Sequence, residues 1–299
     1  MIEPATSVIL LRAAMLGAGA VCFGAGSAAL LLPPAEAARA LRTGLQPSLR
    51  LGAVVLALAG LLTLPVQTAH ISEDWSQAAS PSAIFLFSTG TQAGRAYLVR
   101  ALLAIACAIC ILSGPGDRVA RLRAGSITAA LFLASFAFSG HAVMHEGPTR
   151  IVHQANHLAH VLSAGFWLGA LIALLTGAII MLRRPQSQEA EGARMMLWRF
   201  SPAGVAAVTL VGLTGAINTW LIVGDMPSDL ASSYQVLLLA KIAAAMAMLA
   251  FALLNRFYLL PRLEQVSGSR ALVASIALES ALGGLVIALV AVLATLEPV

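Results

Sequence analysis

The sequence predicts an all-α, polytopic membrane bundle of about eight transmembrane helices, on three observations. Hydrophobic residues make up 59% of the 299 positions and charged residues only 10%, against roughly 25% charged in soluble domains. Apolar runs of about 20 residues, the length a helix needs to cross a hydrocarbon layer of about 30 Å, recur from end to end. Basic residues gather in every second loop between those runs.

The first run, 7–32, follows MIEPATSV, which carries an acid and no basic n-region. That argues against a cleaved signal peptide, so residue 1 is read as mature chain. Further spans are predicted at 49–69, 95–113, 118–140, 153–182, 200–223, 233–256 and 271–294. With no long polar insertion between them, residues 1–299 read as a single membrane domain. The loop 70–94 contains a short apolar patch, Ala83 to Phe87, too short to cross and read as an interfacial or re-entrant segment. The stretch RRPQSQEAEGAR is polar and Gln/Glu-rich and reads as a mobile loop.

Charge placement orients the bundle. Arg39, Arg42 and Arg50 follow span 1; Arg118, Arg121 and Arg123 follow span 3; Arg183, Arg184, Arg194 and Arg199 follow span 5; Arg256, Arg262 and Arg270 follow span 7. The alternate loops hold Arg150 with Glu73, Asp74, Glu146, Asp225 and Asp229. By the positive-inside rule the arginine loops are cytoplasmic and both termini extracytoplasmic. Arg12 fits less simply: it either snorkels to the interface or faces the bundle. In a chain this apolar, the net charge of +5 is a topology signal and excludes a nucleic-acid surface.

All six histidines fall on the side away from those arginines. His70 ends span 2, His141 and His145 follow span 4, and His153, His157 and His160 begin span 5. Positions i, i+4 and i+7 share a helix face, so the last three form a stripe about 10 Å deep. Imidazoles one turn apart, closed by a ligand from a neighbouring helix, suit a metal ion, and the Met144 thioether extends the donor set towards copper in either oxidation state. The same rings also suit amphipathic interface anchors. His160 lies deepest, where an unpaired polar group is costly.

Lys241, the lone lysine, sits about eight residues into span 7 from one face, and Glu279 about eight residues into span 8 from the other. Depths of roughly 12 Å from opposite faces leave a vertical gap of about 6 Å, which a lysine can bridge as an ion pair, functional or simply pinning two helices. Arg100, Asn218, Thr219, Gln67 and Thr68 add polar groups near the histidine side, each also readable as an interhelical hydrogen bond. Cys22, Cys107 and Cys110 lie within spans and could relay a soft metal inward; small apolar filling serves equally well. Gly165 and Gly169 form a GxxxG that permits close helix packing.

GTQAGRAYLVR, FSGHA (138–142), HVLSAGFWLGAL (160–171), RFSPAGVAAVTLVGLTGAIN (199–218), SSYQVLLLAKI, LLNRFYLLP and ALESALGG, in order along the chain, resemble the CopD copper-resistance membrane proteins of bacteria. The resemblance implies an eight-helix inner-membrane protein handling periplasmic copper beside a soluble carrier of CopC type, and moving the metal towards the cytoplasm. By position it carries over His141, His160, Trp167, Lys241 and Glu279. His157 departs by standing where many members have an acid, and Tyr234-Gln235 replaces a frequent Tyr-Gly.

The reading is therefore a non-enzymatic copper transporter with His141, His157 and His160 as ligands, helped by His153, His145 and Met144. Two rivals share its features: a b-type haem cytochrome with haem near the histidine side, and a copper sensor or assembly factor that never passes the ion.

Overall fold

The computed structural model describes residues 3–32, 35–113, 118–262 and 266–298, without the side chains of residues 141, 142, 266 and 267. Eight helices in it are long and apolar enough to cross a membrane. We label the helices α1 (Pro4–Leu30), α2 (Glu36–Gly44), α3 (Gln46–Ser72), α4 (Pro81–Gly90), α5 (Gln92–Leu112), α6 (Arg118–Phe138), α7 (Gly147–Arg183), α8 (Gln188–Val223), α9 (Ser233–Arg262) and α10 (Val266–Leu293). All but α2 and α4 are spans.

Starts and stops follow local chemistry. Thr91, Ser187 and Ser232 cap α5, α8 and α9, each side chain accepting from a backbone N–H three residues on. Prolines in the first turn open α1, α3, α4 and α7. Gly224, at φ 78°, ends α8. Arg42 is buried, and from α2 it donates to Ala29 O (3.1 Å) and Leu32 O (2.7 Å), closing the carbonyl end of α1 with a positive charge.

Helices α1 and α7 occupy the centre. α1 touches α3, α6, α7 and α10; α7 touches α1, α6, α8 and α10. Their crossing is unusually close because it is made of glycine. A Cβ at Gly169 would stand 1.7 Å from Ala20 O, and one at Gly24 would stand 2.5 Å from Phe166 O. A π turn, Val21–Ala25, interrupts α1 at this crossing. Gly165 packs on the Leu133 side chain, so both glycines of the GxxxG serve close packing. Outward, large apolar side chains such as Leu51, Leu131 and Leu213 are exposed, as lipid contact requires.

Two sequence expectations need correction. The stretch read as a mobile loop is helical from Gln188: Ser187 caps it, Glu189 and Glu191 sit in its first turn, and α8 packs on α2 with Ala190, Ala193 and Met196 buried. Helix α9 also runs six residues beyond its predicted end, through a π turn at Asn255–Leu259. The apolar patch 83–87 lies within α4, whose Phe85 and Leu86 stay exposed.

Candidate metal centre

The segment from Gly140 to Gly147 turns twice through the left-handed region, at φ 66° and 56°, and so doubles back beside the start of α7. This return brings His145 onto His153. Their Nδ1 atoms are 3.1 Å apart and the rings meet edge to face, with His153 fully buried. One ring donates and the other accepts, so the two hold opposite tautomers. Two nitrogens each about 2.0 Å from one tetrahedral ion would stand about 3.3 Å apart, so the pair needs only a few tenths of an ångström to take a metal in place of the shared proton. Since no side chain crowds Gly140, Gly140→Ala should cost about 1–2 kcal/mol through backbone strain alone, read as a lower unfolding midpoint of the purified protein.

Two turns further along α7 lies a second cluster. His160 Nδ1 is 3.0 Å from Thr214 Oγ1, and that hydroxyl donates to Leu210 O at 2.5 Å. Its single proton is thus committed, so Thr214 accepts from Nδ1–H, and the Val211 carbonyl also lies within hydrogen-bonding reach of the ring. Asn156 Nδ2 donates to Thr214 O and to Asn218 Oδ1, both at 2.9 Å, tying α7 to α8 around the ring. Lys241 and His157 lie within electrostatic reach of His160.

Among the described residues no three His, Cys, Asp or Glu side chains are grouped tightly enough for one ion. The structure joins His145 to His153 and sets His160 apart with Thr214 and Asn156. The His141 side chain lies outside the described residues. Met144 is exposed in the same return segment.

Glu279 is not paired with Lys241. Trp167 Nε1 donates to its Oε1 at 3.1 Å and Asn255 Nδ2 to its Oε2 at 3.0 Å, in a buried knot of α7, α9 and α10. Asn255 is 14 residues beyond Lys241, about 21 Å along α9. The 6 Å gap inferred from sequence fails because α9 meets α10 in a different register, with Asn255 at the level of Glu279. Tyr234 and Leu238 of α9 accordingly pack on Leu293, near the other end of α10.

Arg100 is buried between rings. Its guanidinium lies 4.2 Å from the Phe136 centroid and 5.1 Å from that of Tyr97, and it donates to Ser135 O and Oγ (both 3.1 Å) and to Ser139 Oγ. The thiols of Cys22 and Cys107 are in contact and buried, and Cys107 also donates to Gly125 O at 3.5 Å. Cys110 instead lines a cavity of about 300 Å³ with Arg50, Arg118 and Arg121 at the arginine end. Asn156, Thr214 and Asn255 were not singled out in the sequence, although a lone asparagine in an apolar run is itself a signal.

The fold and these clusters define a multi-pass membrane protein with imidazoles gathered at one end of the bundle. A family model described as Copper resistance protein D-like, N-terminal domain, matches residues 1–151, and one described as Copper resistance protein D matches residues 194–293. The chain is 34% identical to Inner membrane protein YebZ of Escherichia coli (strain K12) over 286 residues, covering 95% of this chain and 94% of that one. It is 32% identical to Copper resistance protein D of Pseudomonas syringae pv. tomato over 238 residues, 76% of this chain and 75% of the relative. It is 30% identical to Copper transport protein CutJ of Bacillus subtilis (strain 168) over 224 residues, 71% of this chain and 39% of the relative. No solved structure matches.

The chain belongs to the copper resistance protein D family. It is a multi-pass inner-membrane protein of a copper-handling family. The stripe His153, His157 and His160 lies between the two ranges the family models match.

Proposed function

We propose that this protein accepts copper at the histidine end, on the extracytoplasmic side, and passes it across the membrane towards the cytoplasm without catalysing a reaction. The observation that carries the reading is the His145–His153 pair at the mouth, half-buried at His145 and buried at His153, followed about 10 Å further along α7 by the His160 ring held by Thr214. Two ligand stations in series, each short of a full coordination sphere, suit an ion handed on more than one stored. A soluble carrier of CopC type would deliver the metal, since the mouth offers the imidazoles that exchange copper readily. The names of the Pseudomonas and Bacillus relatives support copper as the cargo.

Copper titration of the purified protein and uptake into proteoliposomes test this. His153→Ala and His160→Ala are each expected to weaken copper binding by about tenfold or more, while His70→Ala, whose ring belongs to neither cluster, leaves it unchanged. Equal effects at all three positions would overturn the site. Copper that binds but never reaches the lumen would overturn transport.

A further inference from the structure

Helices α1, α3, α5 and α6 meet around a small cavity, about 10 Å³, with room for one water-sized occupant. Its walls include Arg12, Met15, Thr63, Gln67, Tyr97 and Phe136. Their polar groups are short of acceptors. Thr63 spends its proton on Ala59 O at 2.6 Å, with Met15 Sδ at 3.3 Å. Gln67 Nε2 donates to the Tyr97 oxygen at 3.0 Å, and the phenol's own proton meets no acceptor among the described residues. Arg12 makes one long bond, to Ala294 O at 3.3 Å, leaving most of its five donors unspent.

Behind Tyr97 and Phe136 stands Arg100, 1% exposed, whose second terminal nitrogen, Nη1, is buried without an acceptor. The two guanidiniums are close enough to repel each other. Among the described residues neither has a carboxylate within 4.0 Å, the one ion pair being Arg194–Glu191. Both charges are permanent and lie within spanning helices, Arg12 half-buried and Arg100 fully buried, where an uncompensated cation is costly. A water would satisfy the Tyr97 hydroxyl and leave the charge as it is. A monoatomic anion meets both demands.

We infer that the cavity between Arg12 and Tyr97 binds a small inorganic anion of halide class, which compensates the Arg12–Arg100 pair and locks α1 to α3, α5 and α6. This site is separate from the copper reading and stands or falls without it.

Chloride is the probe. Purified full-length protein is dialysed against radiolabelled chloride, and its unfolding midpoint is compared in chloride and gluconate at equal ionic strength. The expected result is saturable retention of about one chloride per chain and a higher midpoint in chloride, since a ligand that binds only the folded state stabilises it. Arg12→Gln should lower retention at least tenfold and abolish the midpoint difference, and Tyr97→Phe should lower retention several-fold. Arg95→Gln, which removes an exposed arginine outside the cavity, should change neither. Wild-type protein without saturable chloride, as a water-filled cavity would give, overturns the inference. So does wild-type retention in Arg12→Gln or, should that variant fail to fold, in Tyr97→Phe.

Discussion

Gly169→Ala is expected to prevent stable assembly of the bundle. The new Cβ would lie 1.7 Å from Ala20 O and 2.4 Å from its carbonyl carbon. Both are backbone atoms of a helix, so no side chain can rotate aside and α1 must move bodily. Overpacking against adaptable side chains costs about 1–3 kcal/mol, and a backbone obstacle exceeds the top of that range. The displacement would also pull Trp167, two residues away, from Glu279. The measurement is monodisperse yield and unfolding midpoint in detergent. Gly212→Ala is the control, because nothing lies within 4 Å of its Cβ position on α8. It should be neutral or stabilising by up to about 1 kcal/mol from helix propensity.

Glu279→Ala should be the most damaging polar-to-apolar change, costing about 2–5 kcal/mol. It strands two buried donors, Trp167 Nε1 and Asn255 Nδ2, at about 1–3 kcal/mol each. Glu279→Gln is expected to fall between this and wild type. An amide keeps one acceptor and sets its NH₂ against the other donor. Denaturation of the three proteins should therefore rank them wild type, Gln, Ala. Equal stability of the Gln variant and wild type would mean that only one of the two hydrogen bonds contributes. Lys241→Met, by contrast, should leave the stability of this knot untouched, because Lys241 lies about 21 Å away along α9.

The spans were legible because composition alone defines them: a run of about 20 apolar residues has few alternatives to a membrane helix. Their lengths were less so. The start of α8 is hidden in a polar, Gln/Glu-rich stretch that resembles a loop, although Ser187 and the acidic first turn are helix-start signals in their own right. The end of α9 falls at Pro261, a stop signal that lies beyond the end read from the apolar run. The level at which α9 meets α10 was likewise hidden, and Asn255 rather than Lys241 stands opposite Glu279.

At the candidate site the stripe of histidines on α7 followed directly from helical spacing. The partnership of His145 with His153 did not, because it depends on two left-handed turns at Gly140 and Gly147. Cross-helix partners such as Thr214 and Asn255 are invisible to spacing within one helix. Their roles emerge only when α7, α8, α9 and α10 are laid side by side.

The glycine crossing of α1 and α7 has a mechanical consequence. Where two backbones touch, neither helix can slide along the other without carbonyls colliding with Cα atoms, so Gly24 and Gly169 act as a fulcrum. From Gly169 to His153 is 16 residues, an arm of about 24 Å. Small rotations at the pivot therefore become ångström-scale displacements of the imidazoles, and tilting, rather than translation, is the movement this geometry permits at the mouth.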